Sequence, residues 1–264
     1  MLESAEIRLT TDFLRKELLD KTIFEWNFTD DKDTLDIDKS LSLIEEQLPL
    51  FVLDVNCKGK IIYFVVCNEF KTYYIIHSPG TSSSWQLQDH DNCIWYITHE
   101  ERIVYFRDDY NASLLKVYDN SNIFNNVLSN LGPDILTDEL TLDIWNTLLI
   151  KYKNKNITVF LTDQKIISGI GNYIKSEVLY YARISPERKI KELDETEKMK
   201  LFEAIRIIPR LSYNAGGMSC DGYTDENGNK GYFDYKLKIY SKDWAYREKT
   251  KDNDITYWNP AIQI

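Results

Sequence analysis

Near the middle of this 264-residue chain, Asp163 to Glu177 reads DQKIISGIGNYIKSE. Gly169, Gly171 and Asn172 separate an apolar run from a stretch with helical texture. A helix N-terminus carries unpaired N–H groups and a partial positive charge. Glycines just ahead of it let another group approach the backbone closely. The chemistry on offer is anion binding, with phosphate the usual anion. The other reading is a helix–helix turn packed for its own sake. The pattern is not a dinucleotide fingerprint, because no third glycine follows and no βαβ unit surrounds it.

Two carboxylates, Glu3 and Glu6, open a second helical stretch, Ala5 to Leu19, in which Ile7, Leu14 and Leu18 fall on one side. Acidic residues in that position also suit the helix dipole. Lys60 lies in CKGKIIYF, between two strand-like runs, where an exposed edge lysine is the structural alternative. His77 opens HSPGTSSSW, and a lone histidine among apolar neighbours is more often a core residue than a ligand.

The elements that must position these residues change texture along the chain. From Leu50 to about Tyr118, runs such as KIIYFVV, TYYIIHS, CIWYITH and RIVYFRD are β-branched and aromatic with polar breaks. They predict an antiparallel sheet or sandwich. YDNSNIFNN, rich in turn formers, marks a boundary. Beyond it Thr137 caps a predicted helix running to about Lys153, another follows the glycine turn, and a third spans Asp194 to Ile208 and stops at Pro209. Two strand-like pieces, YFDYKLKIY and DITYWNP, close the chain after an Asp-Glu-Asn-Gly turn signal.

The net charge is −10, with 43% hydrophobic residues. An acidic chain is not a generic nucleic-acid binder. The charges are nonetheless uneven, acidic at Asp30–Asp38 and Glu192–Glu197 and basic at Lys151–Lys155 and Lys230–Lys251, which permits a basic cleft in an acidic body. Cys57, Cys67, Cys93 and Cys220 are dispersed and no C-x-x-C pair exists, so neither a zinc knuckle nor a disulfide framework is indicated. The absence of a long apolar run or a signal-like start leads to an expectation of an intracellular, non-membrane protein with reduced thiols.

Three blocks in one order, LGPDIL, LTDQKIISGIGNYIKSEVLYYARISPER and IPRLSYNAGG, resemble the formamidopyrimidine-DNA glycosylase and endonuclease VIII family, with GIGNY and IPRLSY closer to the endonuclease VIII branch. The resemblance implies an α+β fold: an N-terminal helix and antiparallel β-sandwich (1–122), a helix-two-turn-helix DNA-binding domain (131–222), and a C-terminal β-hairpin (223–264). It implies a monomeric enzyme on damaged double-stranded DNA, located wherever DNA is, with glycosylase and AP lyase activity on oxidised bases. A DNA-binding member without chemistry and an AP lyase alone are the alternatives.

By the same resemblance the family's nucleophile is an N-terminal proline amine. Here Leu2 stands in that position, Glu3 matches the acid/base and Glu6 the second glutamate. A methionine before a bulky leucine is expected to stay, which puts the free amine on Met1. Lys60, Asn172 and the turn glycines Gly169 and Gly171 match phosphate-binding positions, and His77 matches the segment that fills the gap left by the flipped base. The zinc-finger cysteine positions hold Asn259 and Ile262, and Asp254 replaces the finger arginine, so the resemblance implies a zincless finger and no cofactor.

Overall fold

A computed structural model describes residues 2–28, 42–89, 93–100, 102–110, 112–219 and 222–264. Met1, the Asp30–Asp38 cluster and Cys220 lie outside them. The chain opens with α1 (Ser4–Leu18), β1 (Thr22–Phe28) and the short α2 (Ser42–Glu45). Seven strands follow: β2 (Leu50–Lys58), β3 (Ile61–Cys67), β4 (Thr72–Ser78), β5 (Ser83–Gln86), β6 (Cys93–His99), β7 (Ile103–Asp108) and β8 (Leu114–Tyr118). Next come α3 (Ser121–Ser129), α4 (Leu142–Lys151), α5 (Ile157–Thr162), α6 (Asn172–Ala182) and α7 (Glu195–Asn214), and then a hairpin of β9 (Tyr246–Lys249) and β10 (Ile255–Trp258). This is the expected α+β class. No helix among the described residues is long and apolar enough to cross a membrane.

The first eight strands form one antiparallel sheet in the order β5-β7-β6-β1-β2-β3-β4-β8. Their burial alternates along the strands, as a sheet with one face on a core requires. The sheet folds over itself. His77 on β4 meets Phe106 on β7 at 4.6 Å and Trp95 on β6 at 5.4 Å between ring centroids, although those strands are far apart in the ladder. Phe106 also stacks on Trp95 at 4.5 Å. α1 covers the sandwich with Ile7, Leu14 and Leu18, all fully buried. A second core, built from α4 to α7 around Trp145, Phe160, Tyr173 and Ile174, forms the helical half.

Several elements differ from the sequence expectations. β1 carries TIFEWNF, a strand the texture from Leu50 onward leaves out. The turn-rich YDNSNIFNN is helix α3, because the Asn120 side chain accepts the N–H groups of Asn122 and Ile123 and caps it. Thr137 does not cap a helix. Its hydroxyl donates to the Asp134 carbonyl and accepts the Glu139 N–H, closing a local turn, and Thr141 caps α4 instead. Pro209 does not end α7, which runs to Asn214. Proline forfeits one helical hydrogen bond, but Ile205, Ile208, Pro209 and Ser212 are all buried and hold the helix on both sides of it.

YFDYKLKIY is not a strand. Only Phe233–Tyr235 form a 3-10 turn, and the N–H groups of Lys238, Ile239 and Tyr240 all donate to the Glu177 carboxylate of α6 at 2.8–3.0 Å. A carboxylate with three donors removes those amides from any ladder.

The aromatic cluster makes a stability prediction. Phe106 is fully buried among His77, Trp85 and Trp95. Phe106→Ala should cost roughly 3–5 kcal/mol, read as a lowered midpoint in urea unfolding followed by tryptophan fluorescence.

Candidate active site and phosphate cleft

The glycine turn is where both halves of the chain meet. Gln164 staples it from within. Its side-chain amide donates to the carbonyls of Thr162 and Ile170 at 2.8 and 3.0 Å, and its oxygen accepts the Gly169 N–H at 2.8 Å. The Ser4 N–H, at the first turn of α1, donates to the Gly169 carbonyl at 3.0 Å. Gly169 has φ +105°, and a Cβ there would lie 2.8 Å from that of Ser4. On the other side the β2–β3 hairpin turn docks. Gly59, at φ +61°, donates to Asp134 at 2.7 Å, and a Cβ on it would strike the Ser168 side chain at 2.6 Å. This close approach delivers Lys60, the next residue, to the turn.

Glu3 lies at the centre. Its carboxylate is 2% exposed and accepts N–H groups from Gly171 at 2.7 Å, Tyr173 at 2.8 Å and Ile174 at 3.2 Å. The N-terminus of α6 is thus filled by a carboxylate from α1. A Cβ on Gly171 would sit 2.5 Å from the Glu3 carboxyl and 2.6 Å from the Lys60 ammonium nitrogen, so only glycine fits. Burial holds the Glu3 carboxyl above the usual carboxylate range, against the opposing pull of Lys60 and the three amides. Burial likewise lowers Lys60, opposed by Glu3 and Asp254. The expectation that the turn's amides meet a phosphate is therefore narrowed. Gly171, Tyr173 and Ile174 already serve Glu3, while Asn172 and Lys60 line the cleft beside them.

Glu6 is buried behind Glu3. Its carboxylate accepts the Met218 N–H at 2.9 Å, the Tyr173 hydroxyl at 3.1 Å, the Ser212 hydroxyl at 3.3 Å and the Glu3 N–H at 3.1 Å. Burial, with the nearby Glu3 charge, pushes it up to about 7 although the Met218 amide pulls the other way. Ser212 reaches it only because α7 continues past Pro209. Tyr173, Ser212 and Met218 are contacts that sequence reasoning misses. Nothing in their spacing signals convergence on Glu6.

Glu3, Lys60, Gln164, Gly171 and Asn172 line a cleft of about 300 Å³ together with Thr162, Asp252 and Asp254. The hairpin thus reaches the site, but brings carboxylates. Asp252 is paired with Lys175 of α6, whose ammonium nitrogen lies 2.6 Å from it. Tyr257 of β10 donates its N–H to Ser176 at 3.1 Å, and Asn259 accepts the Ala261 N–H. Among the described residues no three His, Cys, Asp or Glu side chains converge as metal ligands would.

Two expected residues keep their side chains out of the cleft. Leu2 is 5% exposed and packs its side chain into the sandwich core. His77 is corrected from a DNA contact to a core residue. It is fully buried, Trp85 donates to its Nδ1 at 3.2 Å, and burial pushes it down to about 3, so it stays neutral inside the aromatic cluster.

A family model described as "Formamidopyrimidine-DNA glycosylase H2TH domain" matches residues 131–221. A curated formamidopyrimidine-DNA glycosylase of Yersinia enterocolitica is 32% identical over 200 residues, covering 72% of this chain and 71% of that protein. One of Rickettsia felis is 26% identical over 249 residues, covering 92% and 88%. The crystal structure of the MutM (Fpg) protein of Thermus thermophilus superposes with a TM-score of 0.84 at 22% identity, covering 99% and 98% of the two chains. Lactococcus lactis Fpg in complex with DNA containing an abasic site gives 0.84 at 18%, covering 99% of both.

The Glu6 carboxyl titrates near neutrality. Its folded value, about 7, lies above the unfolded one, so the stability it contributes is present below about pH 4.5 and is lost as pH rises through 7. Urea unfolding should show stability falling by about 2–3 kcal/mol from this group between pH 5 and pH 8. Glu6→Gln should flatten that part of the profile.

Proposed function

The chain belongs to the formamidopyrimidine-DNA glycosylase family, and from that premise we propose that it excises oxidised bases from duplex DNA and cleaves the resulting abasic strand through an N-terminal amine. The observation that carries this reading is the buried Glu3 carboxylate, one residue from Leu2, beside Lys60 in an open cleft. The endonuclease VIII branch is part of the proposal, on GIGNY and IPRLSY.

In this scheme the neutral α-amine at Leu2, or at Met1 if that residue is kept, attacks the sugar C1′. The C1′–N bond to the base breaks, its electron pair leaves with the base, and a proton from Glu3 neutralises that base. The nitrogen then loses one proton, the C1′–O4′ bond opens as the nitrogen lone pair forms the C1′=N bond, and O4′ takes up a proton, leaving an iminium. A base, Glu3 in its carboxylate form, then takes a C2′ proton, and the 3′ phosphate leaves by β-elimination. A carboxyl raised by burial but surrounded by donors can be acid in one step and base in the next. Lys60 and Asn172 hold the backbone phosphates. Related proteins have been crystallised with DNA containing an abasic site and with DNA containing carbocyclic 8-oxo-G, which supports damaged duplex DNA as the partner.

A second reading is a DNA-binding member that has lost base removal. It is favoured by Leu2 and by Asp254, which lines the cleft where the resemblance expects an arginine.

Binding and chemistry are tested separately. Lys60→Ala and Asn172→Ala should each weaken binding to an abasic duplex, and Lys60→Ala should lower the slope of log K against log salt by about 0.9. Unchanged binding in both variants would remove the phosphate assignment.

For chemistry, borohydride reduction with abasic DNA should trap a covalent complex, and intact-mass spectrometry identifies the residue carrying the amine. Leu2→Pro should raise the trapped yield. Glu3→Gln should bind DNA yet lose base removal by at least 100-fold. Absence of trapping in both the parent and Leu2→Pro, with binding intact, would leave only the DNA-binding reading.

A further inference from the structure

The ion pair that ties the hairpin to α6 does more than fasten it. Lys175 is fully buried and Asp252, in the turn between β9 and β10, nearly so. A buried ammonium must be paired. Asp252 supplies one oxygen to Lys175 at 2.6 Å, while Thr250 donates to its other oxygen at 2.7 Å and Thr162 lies 3.4 Å from the first. Burial would raise the Asp252 carboxyl, but the hydrogen bonds from Lys175 and Thr250 outweigh it and keep it ionised. The same Lys175 ammonium also donates to Asn172 Oδ1 at 3.3 Å.

That second contact decides which way the Asn172 carboxamide faces. An amide can be turned end for end with little change in shape, so its neighbours choose. Lys175 has three donors and no acceptor, so it takes the oxygen. The other end of the amide is the NH2 group, and Asn172 lines the cleft. An NH2 donor suits a phosphate oxygen, and a carbonyl in its place would repel one. We propose that Lys175 is a positioning residue: held in place by Asp252 of the hairpin, it fixes the Asn172 amide with its donors toward the cleft, so that the hairpin turn controls phosphate binding through a neutral group. This rests on the reading that Asn172 meets a DNA phosphate. It gives an acidic hairpin a part in binding an anion. The Asp252 charge is spent on Lys175, and its effect arrives as an oriented dipole.

The pair is removed without changing net charge by Lys175→Met together with Asp252→Asn. The probe is a duplex carrying a tetrahydrofuran abasic analogue, titrated by fluorescence anisotropy at several salt concentrations. The pair variant should bind about tenfold more weakly, with the salt slope unchanged. In an Asn172→Ala background its further effect should vanish, because the pair acts through that amide. Equal weakening with and without Asn172 would show a general prop and overturn the inference. Asn172→Ala weakening binding while the pair variant does not would overturn the inference alone. Asn172→Ala binding like the parent would overturn the phosphate reading and the inference with it.

If the pair variant does not fold, Asn172→Asp decides, since it keeps Lys175 paired and turns a carboxylate oxygen toward the cleft. It should bind more weakly than Asn172→Ala. Equal or tighter binding overturns the proposed orientation.

Discussion

Everything at the site depends on one buried carboxylate placed at the end of a helix. The Glu3 carboxylate sits at the N-terminus of α6 and accepts three N–H groups there, and Lys60 adds a cation beside it. A carboxylate in a low-dielectric interior is expensive unless its oxygens are satisfied. Here the helix dipole, the amides and the ammonium together make the position tolerable. The same contact joins the sandwich half to the helical half, because Glu3 leads α1 while its donors belong to the glycine turn. Any movement of one half against the other would leave a carboxylate and several amides unpaired.

The device is repeated. Glu177, five residues further along α6, gathers the amides of Lys238, Ile239 and Tyr240 and holds the loop that leads to the hairpin. α6 therefore receives a carboxylate at its start and presents one toward its end. Lys175 and Ser176, between the two, take Asp252 and the Tyr257 N–H from the hairpin. The hairpin is fixed to α6 by hydrogen bonds and an ion pair, together with the edge contact of Tyr240 on Tyr257 at 4.9 Å. These polar ties are geometrically specific, and each carries a penalty if broken.

The charge distribution follows from the same arrangement. A chain with net charge −10 does not need a broad basic face to offer a local anion site. On the proposed reading, Lys60 and the Asn172 amide in the cleft would act at short range, where fixed donors are more effective than screened surface charge. Two of the three carboxylates that line the cleft are held by other groups, Glu3 by amides and Asp252 by Lys175, while Asp254 accepts only the neighbouring Ile255 N–H among the described residues; Glu6, behind them, takes two hydroxyls and two amides.

The sequence by itself determined the period-2 strands, the apolar stripe of α1, and the glycine turn, since alternation, helical spacing and positive-φ glycine are local properties. The tertiary structure decided the rest. Whether Thr137 or Thr141 capped α4, whether Pro209 ended α7, and whether KLKIY became a strand depended on competitors far away in sequence, Glu177 above all. His77 lies within β4 and Lys60 between β2 and β3, and the sequence alone does not show which of them reaches Glu3. The folding of the sheet over itself buried the first among aromatics, and the tight turn at Gly59 delivered the second to Glu3. Burial and hydrogen-bond partners are properties of the packed chain, and they decide which polar residues stay neutral in the core and which line the cleft.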